Sequence, residues 1–278
     1  MEAEKVRKIS FPDLSALAFN EPMKTLFILL ALLSSFTISA SVSIVSDLDD
    51  TIKITNSGDT VEGAINAALK SDVFSGITEF FMGAKNYSQD LYILSASPTI
   101  LRLKIQSTLS KRHIPYKKLI LKNPADQESK LSYKVREINK IMDESSEDFI
   151  LIGDDVGQDP EAYAEIQRLH PERVLAIYIH VINNRTIPAG VKYWTSFDLF
   201  LREFLAGRMS PSWVEKGLEM ILKEKENDKI IPSFAHCPTD PIVWSWHQDS
   251  DYAVEALSLG MKISQACQAS HSGILALQ

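Results

Sequence analysis

The amino-acid sequence predicts a parallel α/β protein, a Rossmann-like three-layer sandwich with a helical extension at its C-terminal end. Three observations support that expectation. Five runs rich in β-formers alternate with stretches of helical periodicity, the signature of strand–helix–strand crossovers. Three of these runs lead directly into clusters of acids or serines, as strands of an open parallel sheet do where they meet a ligand. Hydrophobic residues make up 45% and charged residues 23% of 278 positions, enough apolar material for a core and too little charge for a disordered chain.

In chain order, the strands are expected at 42–46, 91–94, 118–121, 149–152 and 174–181. Between the second and third, Ile100, Leu101, Ile105 and Leu109 recur at helical spacing. Between the third and fourth, Leu131, Val135, Ile138 and Met142 do the same, and residues 160–169 form a short helix before the fifth strand. Beyond 196 the texture changes. Residues 197–206 and 212–225 read as amphipathic helices, 231–248 as a loop holding Pro and Trp, and about 252–267 as a last helix. The sheet domain is therefore expected over 41–207 and the extension over 208–278.

The N-terminal region reads differently. Met23-Lys24 precedes an apolar run from Leu26 to Leu33, which ends in small residues at Thr37-Ile38-Ser39-Ala40. A short positive start, an apolar middle and a small-residue end make residues 23–40 a secretory signal peptide, with secretion or a periplasmic location as the consequence. An uncleaved membrane anchor or a buried helix is the alternative, although the run is short and interrupted by Ser for a membrane span. Residues 1–22 fit no part of that pattern and read as a lead upstream of a start at Met23. In an exported protein Cys237 and Cys267 could form one disulfide; two buried free thiols are the alternative.

The formal charge of −7 argues against a nucleic-acid partner, whose phosphates are bound through basic surface. The chemistry lies at the strand ends. The first strand runs into Asp47-Leu48-Asp49-Asp50-Thr51, the second into Ser95-Ala96-Ser97, the fourth into Gly153-Asp154-Asp155. Asp47, Asp49, Asp154 and Asp159 brought into one crevice cannot all stay ionised without a cation. An all-oxygen set suits Mg²⁺, and the absence of Cys and His from the clusters argues against zinc. Lys134 lies four and seven residues before Ile138 and Ile141, on the inward face of its helix, and a buried lysine needs an anionic partner such as a phosphate.

Asp-x-Asp-x-Thr after a strand, Ser ending the next, an inward Lys and then Gly-Asp followed by Asp159 resemble the four motifs of the haloacid dehalogenase superfamily. Asp-Leu-Asp-Asp-Thr-Ile-Lys at 47–53, Ser-Ala-Ser-Pro at 95–98, Phe-Ile-Leu-Ile-Gly-Asp at 149–154, Gln-Asp-Pro-Glu-Ala-Tyr at 158–163 and Val-Leu-Ala-Ile-Tyr-Ile at 174–179 resemble its phosphatidate phosphatase catalytic-domain family more closely. The resemblance covers roughly residues 42–182. It implies Asp47 as the nucleophile that accepts the phosphoryl group and Asp49 as general acid and base. It also implies Mg²⁺ held by Asp47, the Asp49 backbone carbonyl and Asp154 with Asp159 in support, and a phosphate site made by Thr51, Ser95 and Lys134. Two departures stand out: Asp155 replaces the family's Ser, and Val156-Gly157-Gln158 shifts its Gly-Gln pair by one, so a slightly different arrangement beside the metal is expected.

Structural readings compete at several positions. Asp-Asp-Thr also suits a turn or helix cap, Asp159-Pro160 suits a helix start, and Ser97 before Pro98 reads as a cap, which leaves Ser95 for the phosphate. Lys130 is the rival to Lys134. His236, Cys237 and His247 are too irregularly spaced for a metal, and Trp244 and Trp246 read as packing residues or a lipid-facing patch. The stretches from Thr51 to the second strand and from Ser97 to Lys134 are too short for a cap domain. An open site admits a bulky phosphomonoester, including a phospholipid at a membrane surface. The rivals are a phosphatase for soluble esters such as sugar phosphates or nucleotides, and a non-catalytic phosphate-binding module, for which the second aspartate would be superfluous. Overall acidity, and the lack of a long basic amphipathic helix, count against an anionic membrane. Sequence leaves the oligomeric state open.

Overall fold

A computed structural model describes residues 41–56, 71–238 and 253–275. The expectations for 1–22, for the signal segment 23–40 and for Trp244, Trp246 and His247 lie outside these residues. In chain order the elements are β1 (Val42–Ser46), α1 (Ile77–Ala84), β2 (Ser88–Pro98), a 3₁₀ turn (Thr99–Leu101), α2 (Arg102–Lys111), β3 (Lys118–Lys122), α3 (Lys130–Asp143), β4 (Asp148–Asp154), α4 (Asp159–Leu169), β5 (Val174–His180), β6 (Val191–Tyr193), α5 (Ser196–Leu205), α6 (Pro211–Lys223), a second 3₁₀ turn (Asn227–Lys229) and α7 (Ala253–Leu275). All five expected strands are present. The sequence reading missed β6, three residues long and bearing an exposed Val191 and a lysine, and α1, whose dense apolar residues show no clean period.

The sheet is parallel throughout, in the order β3-β2-β1-β4-β5-β6. The chain winds outward from β1 to β3, then crosses back to place β4 on the other side of β1. The carboxyl ends of β1 and β4 thus flank the point where winding reverses, the place at which open α/β sheets hold ligands.

Alternation along the strands fills two layers. Ile44, Ile93, Leu119 and Ile150 face a core shared with α1, α2, α5, α6 and α7, while Val45, Leu94, Ile120 and Leu151 face one shared with α3 and α4. Val214, Leu218 and Ile221 of α6, with Leu259, Ile263 and Ala266 of α7, belong to the first of these cores. The extension is therefore continuous with the sheet's own packing. A disulfide joins Cys237 to Cys267 of α7, so the pairing alternative holds and the free thiols do not. Between Ser97 and Lys134 stand only the first 3₁₀ turn, α2 and β3, with no room for a cap domain; of the other interval, residues 57–70 lie outside the described part.

Candidate active site

The loop after β1 closes on itself. Ile52 and Lys53 both donate backbone N–H bonds to the Leu48 carbonyl at 2.9 Å, and Asp50 donates to the Lys53 carbonyl at 2.7 Å. Asp50 has φ 58°, in the left-handed region that aspartate tolerates better than most residues, and its carboxylate accepts the N–H groups of Thr55 and Asn56 at 2.9 and 2.8 Å. Asp50 is thus the turn-former of the motif, which leaves Asp47 and Asp49 free to face the crevice. Leu48 and Ile52, both fully buried, anchor the loop below.

Three carboxylates converge there. Asp47, Asp154 and Asp159 each offer an oxygen within 4.8 Å of the others, and all three residues are buried. Gly153 makes the approach possible: a Cβ on it would lie 2.5 Å from Asp159 Oδ2 and 2.7 Å from Asp159 Cβ. Asp159 is the first residue of α4; Gln158 holds the cap position, and the Asp159 carboxylate instead accepts from the Asp154 N–H at 3.3 Å. The Asp154 carboxylate also takes the N–H groups of Val156 and Gly157 at 2.7 and 3.1 Å and the Thr51 hydroxyl at 3.4 Å.

One ammonium answers these three acids. Lys134 Nζ donates to Asp47 Oδ1 at 2.7 Å and also to Asp159 Oδ1. It reaches them from the inner face of α3, whose exposed first residue is Lys130. Burial alone would depress the Lys134 ammonium, but Asp159 and Asp47 hold it above its ordinary value. The acids keep an excess of negative charge. Burial pushes Asp47 well above the usual carboxylate range despite Lys134, with Asp159 and Asp154 adding to the rise. Burial and then Asp159 push Asp154 up to about 7. Hard oxygen donors, close spacing and uncompensated charge fit a divalent cation such as Mg²⁺.

Asp49 stands apart from this group. Its carboxylate accepts the hydroxyls of Ser97 at 2.8 Å and Ser95 at 3.2 Å, and Lys53 Nζ lies 3.9 Å away. Any part it takes at the cation is therefore left to its backbone carbonyl. Ser97 was expected to cap the following helix. Instead β2 runs on to Pro98, the turn starts at Thr99 without a side-chain cap, and Ser97, still in the strand, turns its hydroxyl onto Asp49. Ser97 and Lys53 are the two site neighbours that sequence reasoning missed. The signal for Lys53 was a lysine between two isoleucines, Ile52 and Ile54, all three buried. Burial depresses the Lys53 ammonium, against the pull of Asp49.

Asp155 adds no fourth carboxylate. It faces away from the cluster and accepts the backbone N–H groups of Ile182 and Asn183, both at 2.7 Å, and of Arg185 at 3.1 Å. Arg185 returns the contact through Glu161 at 2.9 Å and the Gly157 carbonyl. The departure at 155 thus ties the β4–α4 loop to the segment after β5. His236 donates its backbone N–H to the Ile182 carbonyl at 2.7 Å, a packing position.

Comparison with known proteins bears on this geometry. Residues 42–181, about half of the chain, match the family model described as the phosphatidate phosphatase APP1 catalytic domain. An uncharacterized protein of Schizosaccharomyces pombe is 27% identical over 158 residues, which cover 50% of this chain and 25% of that one. The chain thus spans about a quarter of that relative's length. Two chains from structures of the Pnkp1/Rnl/Hen1 complex, the second titled as an RNA repair complex, superpose over 56% of this chain. They cover 47% and 43% of those chains at 19% and 18% identity, with TM-scores of 0.38.

Proposed function

The chain belongs to the phosphatidate phosphatase APP1 catalytic-domain family, within the haloacid dehalogenase-like superfamily, and from that premise we propose a Mg²⁺-dependent phosphomonoester phosphatase that works through an aspartyl-phosphate on Asp47. One observation carries the proposal. The Asp47, Asp154 and Asp159 cluster, bridged by Lys134, sits at the point where the sheet reverses, with Asp49 held apart on two serine hydroxyls.

In this reading Asp47 attacks the phosphorus, and the ester oxygen leaves on the opposite side. Asp49 gives that oxygen a proton and then takes one from the water that hydrolyses the aspartyl-phosphate, regenerating the Asp47 carboxylate. The Ser95 and Ser97 hydroxyls orient the Asp49 carboxylate. Lys134 offsets charge on the phosphate oxygens once Asp47 is engaged, and Thr51 steadies the loop from the Asp154 side. Bound by Asp47, Asp154 and Asp159, Mg²⁺ would neutralise charge on the transferring group.

The substrate proposed is phosphatidate or a related lipid phosphate, supported by the family and by the absence of room for a cap between Ser97 and Lys134. Phosphate release from a panel of phosphomonoesters, with magnesium and with EDTA, tests the reaction. Comparing kcat/KM for phosphatidate in mixed micelles with that for water-soluble esters tests the substrate. Equal or better turnover of soluble esters, with no gain from a lipid interface, would move the function to small phosphomonoesters. Export through residues 23–40 is part of the same proposal, and an exported form beginning near Ser41 by mass spectrometry is its expected result. Among the described residues no helix is long and apolar enough to cross a membrane.

A further inference from the structure

The two most exposed large apolar side chains among the described residues lie three positions apart, just past the strand end that carries Ser95 and Ser97. Ile100 is 84% and Leu103 80% exposed, ahead of Val254 at 75% on α7. Ile100 lies on the 3₁₀ turn that follows Ser97, and Leu103 in the first turn of α2, so both stand a few residues past the hydroxyls that hold Asp49. Positions 100, 103 and 107 share one helical face, opposite the buried Ile105 and Leu109. Scattered single apolar residues on a surface need no explanation. Two of them just past the strand end that carries Ser95 and Ser97 are a different matter.

Charge singles out the same segment. From residue 91 to 125 there is no Asp or Glu, while Arg102, Lys104, Lys111, Arg112, Lys117, Lys118 and Lys122 are all basic, in a chain of net charge −7. Arg112 and Lys117 are paired, with Asp72 and Asp90. Lys104 is exposed beside Leu103. Lys122 ends β3 opposite Pro98, with its ammonium held on the Glu128 carbonyl. The nearest acids further on, Asp126 and Glu128, are both engaged by Arg136.

We infer that this segment, Ile100 and Leu103 flanked by Lys104, is a docking surface for an anionic lipid bilayer, oriented so that the crevice opens onto the headgroups. Two side chains bordered by Ser107 and Lys104 fall far short of the roughly 800 Å² per partner that a stable protein–protein interface buries. They suit an interface entered to a depth of about 5–10 Å beside cations that meet lipid phosphates. The lipid-phosphate proposal above supplies the purpose of this docking; the docking itself is measurable without turnover.

Binding is read by co-flotation of the full chain with phosphatidylcholine vesicles, with and without a minority of phosphatidylserine. Hydrolysis is followed in parallel on phosphatidate in the same vesicles and on a water-soluble phosphomonoester. Ile100→Ser/Leu103→Ser, which removes the apolar area without adding charge, is expected to weaken partition onto anionic vesicles by roughly 10²-fold, and Lys104→Ala by about fivefold. In both, Tm and soluble-ester kcat/KM stay unchanged. The inference is overturned if the double variant floats like the wild type, or if the wild type floats equally well on pure phosphatidylcholine. It is also overturned if soluble-ester turnover falls in step with vesicle turnover, which would seat the pair against the chain itself. Flotation that depends on Ile100 and Leu103 without phosphate release from any ester would keep the docking and remove the phosphatase. Soluble-ester turnover without flotation would do the reverse.

Discussion

Replacing Lys134 with Met keeps the length of the side chain and removes its charge. The residue lies 6% exposed between Asp47, 4% exposed, and Asp159, fully buried, with Asp154 in the same 4.8 Å group. Ionised, the four groups carry three negative charges against one positive; the variant has three against none. Removing one partner of a buried ion pair costs roughly 3–5 kcal/mol. A domain of this size loses about 2–4 °C of Tm per kcal/mol, so the drop is on the order of 10 °C without metal near neutral pH. The penalty depends on pH in a definite direction. The folded-state pKa values of Asp47 and Asp154 lie above their unfolded values, so these groups take up protons on folding and stability falls as pH rises toward the folded value, about 7 for Asp154. Without Lys134 both rise further, and the slope steepens. At about pH 5, where the cluster is already partly protonated, the penalty is expected to shrink to less than half its value at about pH 8. Magnesium, meeting one more uncompensated charge, should raise the variant's Tm by more than it raises the wild type's. Thermal and urea unfolding at both pH values, in EDTA and in magnesium, measure all of this. An equal penalty at both pH values, with no larger magnesium shift, would refute Lys134 as the cluster's counter-charge.

Asp47→Asn should abolish phosphate release yet leave Tm in EDTA unchanged or higher, since it removes one member of a crowded set; Asp49→Asn should lower kcat by about 10²–10⁴-fold. Gly153→Ala forces the Asp159 carboxylate away from a Cβ that would sit 2.5 Å from Oδ2, and magnesium affinity by calorimetry should fall roughly 10–100-fold. Wild-type protein in EDTA should lose Tm steadily from about pH 5 to about pH 8, with magnesium restoring most of it at the upper end. Cys237→Ser opens a loop of sequence separation 30 and should cost roughly 2–4 kcal/mol in urea unfolding under non-reducing conditions.

Much of the architecture was legible because it is periodic. A run of β-formers such as Phe149-Ile150-Leu151-Ile152 carries its own identity as a buried parallel strand, and the 3.6-residue phase of α3 placed Lys134 on the same face as Ile138 and Ile141 before any neighbour was known. The motif residues were legible because they fall at strand ends. What escaped had no period to report: β6 is three residues long, and α1 is apolar on most sides.

By itself, then, the sequence determined the parallel α/β class, the strands that carry the motifs, and the inward lysine, all of which depend on local spacing. Only the tertiary structure decided which strands lie side by side. Setting β4 against β1 brings Asp154 and Asp159 to Asp47, residues more than a hundred positions apart. The same packing turned Ser97 onto Asp49 when the local pattern suggested a cap, and sent Asp155 to the backbone of Ile182 and Asn183 instead of the cluster. It also paired Cys237 with Cys267 and left Ile100 and Leu103 uncovered. Spacing along the chain reports which side of an element a residue occupies. What stands on that side depends on long-range packing, whose energy is shared among residues distant in sequence.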